Sequence, residues 1–102
     1  MSITIGKYSF EGPYTSTDNL KEQGGVYTIL CQNNGKYNTV DVGESETVKS
    51  RVENHDRKSC WSTNCFSSLA VAVLYTPGVS AVGRRQIEGE IRDTYNFPCG
   101  LK

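Results

Sequence analysis

A chain of 102 residues has room for one domain around one modest core, and no composition break or long Pro/Ser stretch marks a second. Eleven basic and eleven acidic side chains leave a formal charge of zero, which argues against tight autonomous nucleic-acid binding carried by a basic excess. The start, Met1-Ser2-Ile3-Thr4-Ile5-Gly6, lacks a basic leader with an apolar run, and the longest apolar stretch, 69 to 75, is too short to cross a bilayer, so a cytosolic protein without a membrane partner is expected.

Residues 1 to 23 read as an N-terminal extension. Ser2 to Phe10 alternates in part like a strand, with Ile3 and Ile5 on one side, and could add an edge to the sheet. Gly12 to Leu20 is turn-rich and polar, with Tyr8, Phe10 and Tyr14 as anchors. Gly25-Val26-Tyr27-Thr28-Ile29-Leu30-Cys31 is a β-branched and aromatic run opened by a glycine pair, the pattern of a strand that begins after a turn. A second strand, Thr39-Val40-Asp41-Val42, ends at Gly43. Between the two, Asn34-Gly35 supplies the positive φ angles of a tight hairpin, which makes them antiparallel neighbours.

Gly43 is expected to free the chain to leave the strand for a helix, with Ser45 as its cap. From Glu46 to about Arg57 the pattern is helical: Val48 and Val52 share a buried side, and Arg51 and His55, also four apart, share the face beside it. Leu69 to Tyr75 reads as a third strand buried on both faces, and residues 79 to 95 as a closing helix.

These residues resemble the GIY-YIG nuclease family over positions 24 to 100. Gly25-Val26-Tyr27 matches the first signature and Asp41-Val42-Gly43 stands at the second, with Asp41 in place of its tyrosine. Arg51 falls at the family's arginine and His55 one turn later, where some members carry a basic or aromatic residue. Arg85 to Ile91 is similar to the helix that carries the metal-binding glutamate, here Glu88, and Tyr95 to Gly100 to the closing Asn/Pro segment. Glu44 stands where several members have a lysine or a small residue. The family's final asparagine would fall near Gly100 unless Asn96 replaces it. The resemblance implies one α+β domain over 1–102, a three-stranded antiparallel sheet flanked by helices.

It also implies a chemistry: hydrolysis of a DNA phosphodiester with one Mg²⁺ or Mn²⁺, hard cations that keep several waters and need one protein carboxylate. Glu88 would supply that carboxylate, with Asp41 a candidate second. Arg51 would clamp the transition state, Tyr27 act as general base or orient the water, and His55 relay the proton or hold the phosphate. Tyr27 would need its pKa lowered by Arg51 and the metal.

Each residue also has a plainer reading. Tyr27 is a strand aromatic, Glu88 the middle of an Arg84–Glu88–Arg92 ladder, Arg51 a partner of Glu46 or Glu53, and His55 a cation near a helix end. Lys49, Arg51, Arg57 and Lys58, with Arg84 and Arg85, form either a local basic patch or solvated helix faces. An interaction module that has lost cleavage, binding nucleic acid or protein, is therefore the alternative. Cys31, Cys60, Cys65 and Cys99 offer no Cys-x-x-Cys pair, and in the expected cytosol they are read as thiols, with a zinc site disfavoured by the spacing.

Overall fold

The computed structural model describes residues 1–100. Its strands are β1 (Ser2–Ile5), β2 (Tyr8–Tyr14), β3 (Gly25–Asn33), β4 (Lys36–Ser45) and β5 (Ser68–Tyr75); its α-helices are α1 (Val48–Glu53), α2 (Lys58–Thr63) and α3 (Ala81–Thr94). All five strands join one antiparallel sheet in the order β1-β2-β5-β3-β4.

The three-stranded sheet expected from the family resemblance is thus corrected to five strands. The three core runs are strands β3, β4 and β5, but the N-terminal residues are not an appendage. Gly6, at φ +63, and Lys7 form a two-residue loop that sets Ile5 opposite Tyr8, and this hairpin pairs with the free side of β5. Glycine at the first loop position tolerates the positive φ that such a hairpin needs. Phe10 then points into the core at 1 % exposed, and its burial contributes on the order of 2 kcal/mol.

At the other hairpin, Asn34 (φ 54) and Gly35 (φ 77) both take positive φ, and Asn33 pairs with Lys36. One residue further out of register, β4 bulges: Ile29 faces Asp41 but Leu30 faces Thr39. Alternation along β3 divides the core. Tyr27, Ile29 and Cys31 face Val48, Val52 and Trp61 of α1 and α2, while Val26 and Leu30 face Ile91 of α3 on the opposite side. The helix expected over 46 to 57 is only α1, 48 to 53, and a second short helix, α2, begins beyond it at Lys58. Asn54 ends α1, and the non-helical link 54 to 57 lets His55 turn inward.

Two disulfides join Cys31 to Cys65 and Cys60 to Cys99, so none of the four cysteines is the free thiol expected. Spacing along the chain could not reveal these pairs, because 34 and 39 residues separate the partners and only the sheet brings them together. The first pins the loop after α2 to β3. The second ties α2 to the segment after α3. Among the described residues no helix is long and apolar enough to cross a membrane.

Candidate functional site

Tyr27 and His55 form the buried floor of the site. Tyr27 stands opposite Gly43 on the neighbouring strand, and its ring occupies the space a side chain there would need: a Cβ on Gly43 would lie 2.3 Å from Tyr27 Oη. Glycine at 43 is therefore a matter of room for the tyrosine ring. It is not the hinge into a helix, since β4 runs on to Ser45.

His55 Nε2 is 2.8 Å from Tyr27 Oη, and its Nδ1 accepts the backbone N–H of Arg57 at 3.0 Å. A ring nitrogen that accepts cannot carry the proton, so the neutral imidazole has its hydrogen on Nε2 and donates it to the tyrosine. Burial, followed by the nearby Arg51 and Arg57, pushes the His55 pKa down to about 4, which keeps the ring neutral near pH 7. Asp56 Oδ1 lies 3.4 Å from Nδ1, a contact that becomes an ion pair only if the ring is protonated.

Tyr27 moves the other way. Burial pushes its pKa up to about 12, against the opposing pull of Arg51 and Arg57. The lowered value needed for a free-standing base is absent. Its hydroxyl oxygen accepts from His55, leaving its own hydrogen to be donated, and at 1 % exposed it lies beneath the surface.

Asp41, which replaces the signature tyrosine, is fully buried and saturated with donors. It accepts from Arg57 Nε at 2.8 Å, Arg57 Nη2 at 3.2 Å, Trp61 Nε1 at 2.7 Å, Arg92 Nη2 at 3.0 Å and the Val42 amide at 2.8 Å. Burial alone would raise its pKa, but the donors from Arg57, Trp61 and Arg92 outweigh it and hold the carboxyl below its ordinary range. A carboxylate so engaged has nothing left for a cation, which overturns its candidacy as a second metal ligand. It acts as the hub that fixes α2 and α3 to β4.

Arg57 is the residue that sequence reasoning undervalued. Its guanidinium is anchored to Asp41, yet its side chain remains 31 % exposed and its charge acts on Tyr27, His55 and Glu88 alike. Arg51 is paired with neither Glu46 nor Glu53; it reaches Asp56 at 3.1 Å, and Glu53 is taken by Lys49. The basic patch is partly consumed inside the molecule: Arg84 is buried on Glu44 at 2.8 Å, so of the expected ladder only the Glu88–Arg92 rung is present, and the Arg84 rung is replaced by a bond to β4.

Glu88 lies one turn before Arg92. Arg92 Nε, a buried donor with no hydrogen-bond partner among the described residues, forms an i,i+4 ion pair with Glu88 Oε2 at 3.6 Å, too long for a hydrogen bond. Burial raises the Glu88 pKa; Arg92 and Arg57 oppose the rise and Glu44 adds to it. A partly buried carboxylate in a loose ion pair with Arg92, with the Glu44 carboxylate acting on it, leaves oxygens for a hard divalent ion bound through one protein ligand. Among the described residues no group of three His, Cys, Asp or Glu side chains is placed to hold a metal.

Of the closing segment, Asn96 is exposed, with its carbonyl accepting from Thr39, while Gly100 packs beside Arg92 and Asp41. At φ +82, and with an added Cβ only 2.7 Å from Arg92 Nη2, position 100 has no room for an asparagine side chain. Neither residue supplies the family's final amide to the site. Compared with family models, curated proteins and solved structures, the chain matches none.

Proposed function

We propose that this chain is a divalent-metal-dependent phosphodiester hydrolase of GIY-YIG type acting on DNA. The observation that carries the reading is the run of contacts from Tyr27 to Glu88: Tyr27 meets His55, His55 Nδ1 takes the Arg57 amide, Asp41 holds Arg57 and Arg92 together, and Arg92 pairs with Glu88 at 3.6 Å.

In this reading Arg51 and Arg57, both partly exposed, hold the non-bridging oxygens of the phosphate. Their planar donor forks match a phosphate and strengthen as charge builds on it. Tyr27 serves by orienting a water with its free O–H. It is not the base: lowering a pKa of about 12 to neutrality demands about 7 kcal/mol of differential stabilisation. Neutral His55 fixes the tyrosine hydroxyl by donating to it. Glu88 would hold Mg²⁺ or Mn²⁺, which when bound supplies Lewis-acid stabilisation of oxygen charge. Contact with DNA is weak and salt-sensitive, because a chain of zero formal charge releases few counterions.

A second reading, a DNA- or protein-binding module without cleavage, is favoured by the 1 % exposure of Tyr27 and by Asp41, whose network replaces the signature tyrosine with structure. The compartment follows the cysteines. Two disulfides persist in oxidising surroundings and are rare in a reducing cytosol, so the cytoplasmic placement expected from the sequence gives way to an oxidising compartment. Nicking of supercoiled plasmid in Mg²⁺ or Mn²⁺ at low salt tests the function. Wild type should nick, Glu88→Gln should not, and Arg51→Ala should be slower by about 10²-fold or more. Equal activity of wild type and Glu88→Gln, or no cleavage of duplex, branched or single-stranded DNA by wild type, hands the protein to the second reading.

A further inference from the structure

Phe66 is 97 % exposed, although its neighbours are firmly held. Cys65 is bonded to Cys31 of β3, Ser67 Oγ donates to the Gln32 carbonyl, and Asn64 Nδ2 donates to the Cys60 carbonyl at 2.9 Å. A single exposed apolar side chain is ordinary by itself, but an aromatic ring held on a pinned loop at the mouth of a cavity offers a ready stacking face. Beside it lies a shallow cavity of about 320 Å³ whose wall includes Asn33, Asn38, Asn64 and Ser67. The side chains of Asn33 and Asn38 have no hydrogen-bond partner among the described residues and are exposed. Among the described residues no charged side chain lines this cavity.

A flat ring framed by neutral amides suits an unpaired nucleobase, which stacks on an aromatic face and is read at its edge by Asn. The placement suits it as well. Tyr27 and Cys31 lie on the same face of β3, about 13 Å apart at strand rise, and α2 covers about 10 Å between Arg57 and Asn64. Between these ends Lys58, Ser59, Ser62 and Thr63 are exposed, a cation and three hydroxyls along the path. An unstacked single strand extends further per nucleotide than the roughly 3.4 Å of a duplex strand, so that path spans about two to three nucleotides.

We propose that the Phe66 cavity is a subsite for an unpaired base about two to three nucleotides from the phosphate held by Arg51 and Arg57, so that the substrate carries a single-stranded segment. The subsite deepens the phosphodiester reading and takes its register from it, but base binding itself requires no cleavage.

Fluorescence anisotropy of labelled oligonucleotides with the full chain at low salt, in EDTA so that no strand is cut, separates the two. Wild type should bind a six-nucleotide single strand, and Phe66→Ala and the double variant Asn33→Ala/Asn38→Ala should bind it about tenfold more weakly. A dinucleotide, too short to span both ends, should bind wild type and Phe66→Ala alike. Phe66→Ala should melt with wild type, because a side chain 97 % exposed contributes little to the core. Failure of wild type to bind single strands, or equal binding by Phe66→Ala, overturns the subsite. So does Phe66-dependent binding of a neutral oligosaccharide in place of the oligonucleotide. Phe66-dependent binding without nicking in metal would strike the hydrolase reading alone, and nicking with Phe66-independent binding would strike the subsite alone.

Discussion

Replacing Asp41 with alanine removes the centre of the network that joins β4, α2 and α3. The carboxylate is 0 % exposed and accepts from two arginines and the lone tryptophan. The consequences differ by donor. Arg57, 31 % exposed at its side chain, can turn to water and recovers much of what it loses. Arg92 cannot: its side chain is 7 % exposed, its Nε has no hydrogen bond among the described residues and only the ion pair to Glu88, and its remaining bonds are to the Cys99 and Val42 carbonyls. A buried guanidinium deprived of its main counter-charge costs about 3–5 kcal/mol, of which the ion pair to Glu88 at 3.6 Å returns only a part. The orphaned Trp61 indole N–H adds about 1–3 kcal/mol where water does not reach it. Relaxation overlaps these, so the expected loss is about 4 kcal/mol, close to the whole stability of a marginal small domain. Urea unfolding followed by fluorescence of Trp61, the single tryptophan, reads it directly. Asp41→Asn, which keeps one acceptor oxygen, should lose about half as much by the same reasoning. A loss below about 1 kcal/mol for Asp41→Ala would refute the hub, since buried pairs of this kind do not break so gently.

Three further outcomes follow from neighbouring contacts. Gly43→Ala should destabilise by about 2 kcal/mol or more, measured by thermal melting, because its Cβ would stand 2.3 Å from Tyr27 Oη in a packed interior; wild-type stability would mean that the ring moves freely. His55 has a folded pKa depressed below its unfolded value, so the unfolded chain binds the extra proton between these values and stability falls as pH drops from about 6.5 to about 4. The interval corresponds to about 3 kcal/mol, reduced to roughly 2 by solvent screening around Arg51 and Asp56, and His55→Gln should flatten the slope of stability against pH in that window. Removing the Cys60–Cys99 bond as the double serine variant should cost about 4 kcal/mol on the chain-entropy argument for a closed loop of this length, seen as a lower urea midpoint; an unchanged midpoint would show the denatured chain already constrained.

What the sequence made legible was local. The Asn34-Gly35 pair announced its hairpin because few other residues accept two positive φ angles in succession, and Val48 and Val52 announced the buried side of α1. The N-terminal hairpin was half seen: Ile3 and Ile5 alternate as they should, but Gly6-Lys7 is a weaker turn signal than Asn-Gly, and nothing local says that β2 will dock on β5. Asp41 carried an unused clue. A carboxylate between Val40 and Val42 in a buried strand must be paired with cations, and Arg57 and Arg92 are the ones long enough and near enough to serve. Their choice depends on where two helices pack, a tertiary fact. The same holds for Trp61, whose indole meets Asp41 on one side and whose ring packs 4.6 Å from His55 on the other.

The claim that Glu88 shares one metal-dependent site with the Tyr27–His55 pair is tested most directly by titrating Mn²⁺ into isotopically labelled protein and following amide line broadening by NMR. The account predicts broadening centred on Glu88 and its neighbours Glu44, Arg57 and Arg92, spreading next to His55 and Tyr27, and its disappearance in Glu88→Gln. Broadening that leaves Glu88 sharp and gathers at a distant carboxylate such as Asp18, or that persists unchanged in Glu88→Gln, would contradict it.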